Sequence, residues 1–141
     1  PFPAVHVHDA PLDMSFSGLK TAVLNLVHNA GQKGETLDLP GLAASFAAAV
    51  SDTLVPRTME AAKQLGYGKV AVAGGVAANT RIRADLEQAC RRSGDKLYLP
   101  QLSLCGDNGA MIGCQAYYEY LAGRRGGLEL NAYATRSIEL G

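Results

Sequence analysis

The stretch that most constrains this chain runs from Lys69 to Arg83, Lys-Val-Ala-Val-Ala-Gly-Gly-Val-Ala-Ala-Asn-Thr-Arg-Ile-Arg. Val70, Ala71 and Val72 form a short run suited to a buried strand. Gly74 and Gly75 follow, where the backbone turns sharply or lets a ligand come close. Asn79 stands where a helix would begin, and asparagine is a favoured cap. Behind it Ile82, Leu86, Ala89 and Cys90 recur at helical spacing and form one apolar stripe. Strand, glycine turn and helix in this order direct backbone N–H groups toward an anionic or nucleotide ligand. A plain tight turn has the same residues. The stretch is not a Gly-x-Gly-x-x-Gly fingerprint, and no Gly-Lys-Ser/Thr follows to make a P-loop.

The rest of the chain supplies partners for this unit. Lys96 to Leu99, before Pro100, reads as another strand, so the middle is β-α-β and its sheet parallel. Upstream, Leu19, Val23, Leu26 and Val27 predict a helix that stops near Gly31. Pro40 suits the first turn of the next helix. Leu42, Phe46, Val50 and Leu54 carry that helix to Pro56, which is expected to kink or split it. Met59, Ala62 and Leu65 continue the pattern to Gly66. Ala4 to His8 and Met14 to Phe16 are candidate strands at the beginning. Downstream, Asp107 or Asn108 caps a helix through Tyr120, whose expected inner face is Ala110, Cys114, Tyr117 and Leu121. Arg124 and Arg125 suit its C-terminus. The last residues, from Leu128, have no clear period.

Composition excludes several classes. The chain has 141 residues, 48% of them hydrophobic, enough for one domain with a real core. Thirteen basic residues balance 13 acidic ones, so there is no strong electrostatic footprint for nucleic acid. Apolar runs fall short of a membrane span, and nothing resembles a signal peptide. Three cysteines, Cys90, Cys105 and Cys114, make no Cys-x-x-Cys and read as reduced thiols of a cytoplasmic protein. The chain begins at Pro1 without an initiator methionine and reads as the C-terminal part of a longer one.

The candidates for chemistry are few. His6, His8 and Asp9 make a thin metal set, since zinc sites gather three or four ligands. Asp107 follows a strand and precedes a helix; it is either a cap or a carboxylate aimed at a ligand or metal. Ser17, Lys20 and Thr21 form a polar set at a helix start, read as a capped helix with an exposed lysine. His28 near a helix C-terminus has a mildly useful charge and no assigned role. No Ser-His-Asp, Cys-His or paired-carboxylate arrangement is legible, and His-Glu-x-x-His is absent.

Three segments, Phe16-Ser-Gly-Leu-Lys-Thr21, Gly74-Gly-Val-Ala-Ala-Asn79 and Asp107-Asn-Gly-Ala-Met-Ile112, occur in this order and spacing. Together they resemble the C-terminal part of the TsaD/Gcp family, over residues from about Asp13 to Tyr133. The resemblance implies an α/β fold: the second lobe of an actin-like (sugar kinase/Hsp70/actin) ATPase, a partly parallel sheet flanked by helices. Residues 1–141 would be that C-terminal lobe, with 123–141 as a tail and the N-terminal lobe absent. It implies a transferase that moves threonylcarbamoyl from threonylcarbamoyl-adenylate to the N6 amine of the adenosine beside the tRNA anticodon. Asn79 matches the family residue that contacts the nucleotide-like ligand, threonylcarbamoyl-adenylate or ATP. Gly74 and Gly75 match the turn on which that ligand lies. Asp107 matches a ligand of a divalent metal, iron or zinc, shared with the first lobe. The family's His-x-x-x-His metal ligands are absent, and Gly106 stands where many members have threonine, which loosens the loop carrying Asp107. The implied partners are tRNA and the other subunits of the threonylcarbamoyladenosine complex, with no membrane, and self-association through the exposed inter-lobe face. The fragment alone is expected to be inactive. Three rivals are a non-catalytic paralogue of the same complex, an ATP-dependent kinase of the same fold, and the glycoprotein endopeptidase of the family's first label.

Overall fold

The computed structural model describes Phe2 and residues 10–134. The candidate strand from Ala4 to His8, and with it His6, His8 and Asp9, lies outside the described residues, as does the end of the tail from residue 135. The chain divides into two compact units, residues 1–106 and residues 107–141.

The first unit contains α1 (Ser17–Lys33), α2 (Leu39–Leu65), β1 (Lys69–Ala71), α3 (Thr80–Ser93) and β2 (Lys96–Tyr98). A single turn of 3-10 helix, Gly75–Ala78, joins β1 to α3, and another, Leu102–Leu104, follows β2. β1 and β2 pair in parallel, with Lys69 opposite Lys96, Val70 opposite Leu97 and Ala71 opposite Tyr98. Parallel neighbours need a crossover, and α3 is that crossover. The ladder continues past the strands: the Val72 N–H donates to the Tyr98 carbonyl at 3.1 Å. The expected β-α-β unit is therefore present, and the class is α/β.

The expected apolar stripe is the centre of this unit. Ile82, Leu86, Ala89 and Cys90 of α3 are all buried, Leu86 completely. Ile82, Leu86 and Ala89 pack with Val55 of α2, with Val50, Leu54, Met59, Val72 and Leu97 around them. Cys90 packs with Ala62 and Val70, so the same helix face touches both α2 and the sheet. Burying Ile82 and Leu86 is worth about 1.5–3 kcal/mol each. Asn79 caps α3, and Gly94 closes it in a left-handed conformation.

Several expectations are corrected. Met14 to Phe16 is not a strand; a strand needs a neighbour for its N–H and C=O groups, and none pairs with it among the described residues. α1 ends at Lys33, near the expected Gly31, where Gly34 supplies the left-handed closing residue (φ 68°). Phe16 precedes α1 with no side-chain cap, and Thr21 bonds back to the Ser17 carbonyl at 3.0 Å. Lys20 and His28 are exposed. Of the stripe expected on α1, Leu19 is buried but Leu26 and Val27 are exposed. Pro56 does not split α2, which stays one helix of 27 residues; burial of Ser51, Val55 and Ala62 on one side holds it together across the missing N–H. α2 is also long and apolar enough to cross a membrane by length and composition alone. One face of it, around Val55, packs on α3.

The second unit contains α4 (Gly109–Leu121). The expected inner face does not exist there: no residue of α4 is buried, and Cys114, Tyr117 and Leu121 are exposed. Helical spacing marks a face that can be covered but does not supply the cover. Beyond the helix, Arg124 pairs with Glu119 at 2.6 Å and the Arg125 guanidinium lies over the Tyr120 ring at 4.4 Å. Residues 128–134 have no regular structure, as expected.

Leu86→Ala in the intact protein is expected to cost about 2–5 kcal/mol, read by urea unfolding, because the contacts to α2 and the sheet leave no room to collapse.

Candidate functional site

The turn from Gly74 to Asn79 begins three residues after β1 and leads directly into α3. Gly74 has φ 87° and ψ 175°, a combination essentially confined to glycine. Gly75 has ordinary geometry, and a Cβ built there meets nothing within 4 Å. Fold geometry therefore explains Gly74 and does not explain Gly75. Within the turn Ala77 is buried, 1% exposed, while Gly74, Gly75, Val76, Ala78 and Asn79 face solvent. By the geometry of a 3-10 turn, the N–H groups of Gly75 and Val76 have no acceptor inside it.

Asn79 caps α3. Its Oδ1 accepts from the N–H groups of Arg81 at 3.0 Å and Ile82 at 3.2 Å. The cap is thus real and occupies the carbonyl end of the amide. The Nδ2 end carries two N–H donors, so capping and ligand recognition are compatible at one side chain.

Sequence reading missed the residues that hold this turn. Arg83, one turn into α3, donates from Nε to the Ala77 carbonyl at 2.6 Å. Its Nη2 donates to the Pro100 carbonyl and lies 4.0 Å from the Cys105 Sγ. One guanidinium therefore ties the turn after β1 to the loop after β2. On the other side of α3, Arg81 pairs with Asp85 at 2.5 Å, and Asp85 accepts from the Ser51 hydroxyl at 2.6 Å. Ser51 is 1% exposed, so this chain fastens the start of α3 to α2 from within. The signals were present but weak: an Arg-Asp pair four residues apart, and a serine among the apolar residues of α2.

Asp107 opens the second unit and is exposed. Asn108, not Asp107, caps α4, its Oδ1 accepting from the Met111 N–H at 3.0 Å. The simple structural reason for an aspartate at 107 is thereby removed. Gly106 has open space for a Cβ. The structure brings Gly74, Gly75 and Asn79 together in one turn; Asp107 belongs to the other unit.

A metal was implied by the resemblance. Among the described residues no three His, Cys, Asp or Glu side chains converge to hold one. Asp107 by itself offers one carboxylate, which does not fit zinc or iron, whose sites take three or more protein donors. The three cysteines are free; Cys90 and Cys105 are buried and Cys114 is exposed. Burial raises the Cys90 thiol above its ordinary pKa, which makes it inert.

Among groups with a clear shift is Asp85, whose carboxyl is held below its ordinary range first by the Ser51 hydroxyl and then by Arg81. A depressed folded pKa contributes stability that is complete above the unfolded value, 3.8, and is lost as the pH falls through the folded one. Asp85→Asn, whose amide oxygen can still accept from Ser51, is therefore expected to flatten the acid side of a stability-against-pH curve and to lower stability at neutral pH by about 0.5–1 kcal/mol, the range for a partly exposed ion pair. The two glycines give a contrast: Gly74→Ala should cost about 1–3 kcal/mol in unfolding measurements, the range for a residue held in such a region. Gly75→Ala should leave the unfolding midpoint within error.

Comparison with known proteins bears on this geometry. A family described as TsaD, tRNA N6-adenosine threonylcarbamoyltransferase, matches residues 1–114. A protein of that name from Clostridium botulinum (strain 657 / Type Ba4) is 47% identical over 131 residues, 93% of this chain and 38% of the relative. One from Moorella thermoacetica is 46% identical over 132 residues, 94% of this chain and 39% of the relative. One from Staphylococcus saprophyticus is 43% identical over 138 residues, 98% of this chain and 40% of the relative. The chain thus spans about two fifths of the length of these relatives.

Proposed function

The chain belongs to the tRNA N6-adenosine threonylcarbamoyltransferase family, and from that premise we propose that it is the C-terminal, nucleotide-holding part of such an enzyme. The observation that carries the reading is the exposed turn at Gly74 to Asn79. Gly75 there is not required by the fold, and Asn79 is exposed, with its Oδ1 committed to the cap of α3.

In this reading the chain is one lobe of an actin-like fold, and the nucleotide portion of threonylcarbamoyl-adenylate lies on the turn. The N–H groups of Gly75 and Val76 face an anionic or carbonyl oxygen of that ligand, and the absent Cβ of Gly75 lets it lie close. Asn79 Nδ2 donates to the nucleoside while Oδ1 caps α3. The reaction forms a bond from the N6 nitrogen of the tRNA adenosine to the carbamoyl carbon. It breaks the bond from that carbon to the phosphate oxygen, AMP leaves, and N6 loses a proton. This chain's part is binding and orientation; fixed N–H dipoles also steady charge as it develops on the ligand.

Asp107 is the donor that the described residues of this chain would give to a divalent metal, iron or zinc, with the remaining ligands supplied from elsewhere in the longer protein. Because one carboxylate does not make a site, no step is assigned to the metal. The partners are tRNA and the other proteins that make threonylcarbamoyladenosine, in the cytoplasm. The kinase and endopeptidase alternatives gain nothing from the geometry.

The test is transfer of threonylcarbamoyl to tRNA by the full-length protein. Asn79→Ala is expected to weaken donor binding about tenfold, the typical scale of a lost side-chain hydrogen bond to a ligand of this kind. Asp107→Ala is expected to lower bound metal, measured by elemental analysis, and to abolish transfer. Unchanged metal content and unchanged transfer in Asp107→Ala would remove the metal assignment.

A further inference from the structure

Arg83 is half-buried, and its guanidinium folds back over the turn and the loop after β2. Its guanidinium spends its donors on backbone carbonyls: Nε on Ala77 at 2.6 Å and Nη2 on Pro100. Its Nη2 also lies 4.0 Å from the Sγ of Cys105, which is 3% exposed and lies 3.5 Å from the Gln101 carbonyl. At the same time the Arg83 N–H donates to the Asn79 carbonyl at 3.1 Å. A single residue therefore touches the turn, the cap residue and the loop after the neighbouring strand. A simple solubilising arginine would point outward, and a lysine has one point charge where this site uses a planar fork.

We propose that Arg83 is a positioning residue for the ligand turn. By holding the Ala77 carbonyl against the Pro100 loop it sets the direction of the Gly75 and Val76 N–H groups and of the Asn79 amide. It touches no ligand itself. Short 3-10 turns have poor hydrogen-bond geometry of their own, so an external brace decides their shape. The inference rests on the reading that the turn from Gly74 to Asn79 holds the nucleotide.

The test uses the full-length protein, with ATP as the binding probe and the transfer reaction for kinetics. Arg83→Lys keeps the charge and reaches one carbonyl but cannot fork two. It is expected to raise the ATP Kd and the KM for the threonylcarbamoyl donor about tenfold, with kcat at saturating donor within about twofold. Ala89→Gly, in the buried face of α3 and away from the turn, supplies a variant with a lowered unfolding midpoint, through helix propensity and a lost buried methyl. Its KM should stay at the wild-type value. An Arg83→Lys protein with wild-type KM, or one whose KM changes no more than that of Ala89→Gly, overturns the inference and leaves Arg83 a structural brace. Asn79→Ala and Gly75→Ala separate this failure from that of the parent reading. If they weaken ATP binding while Arg83→Lys does not, only the role of Arg83 falls. If neither weakens it, the turn is not the nucleotide site and both readings fall.

Discussion

Everything in the first unit depends on burial of one face of α3. Ile82, Leu86, Ala89 and Cys90 pack at once against α2 and against the two-stranded sheet. Two strands of three residues each are too few to stand alone. They persist because the crossover helix is fastened to a 27-residue neighbour on its far side. The direction of α3 then fixes where its first residue lies, and with it the glycine turn.

Polar contacts refine what burial places. The Ser51–Asp85–Arg81 chain fastens the start of α3 to α2, and Arg83 fastens the turn before it to the loop beyond β2. These bonds lie on opposite sides of the same helix end. Between them sits Asn79, whose Oδ1 caps the helix. Under the proposed function a cap and a contact residue are one side chain. In this proposed arrangement, the ligand meets a backbone whose shape was settled during folding, which lowers the ordering that binding must otherwise supply.

Particular residues show what was legible from the chain alone. The α3 stripe was legible because a 3.6-residue period is a direct consequence of helix geometry. Gly74 and Gly75 were legible as a pair but not as two different residues; only the backbone shows that Gly74 sits at φ 87° and Gly75 does not need to be glycine for the fold. The choice between Asp107 and Asn108 as cap was open, since both types cap well. The structure gives the cap to Asn108 and so leaves Asp107 without that explanation. The expected face of α4 and the strand at Met14 failed for one reason: periodicity describes what an element offers, not whether a neighbour accepts it.

Local physics sufficed for the strand-turn-helix-strand order, the apolar face of α3, the capping residue Asn79 and the three segments that carry the family resemblance. Each depends on residues within a few positions of one another. The long-range pairings needed coordinates: Arg83 to Pro100, Ser51 to Asp85, Val55 to Leu86. Their partners are separated by 17 and 34 residues in the first two cases. No local pattern specifies which carbonyl a guanidinium will meet, because that distance is set by how the crossover helix packs and not by the residues on either side of it.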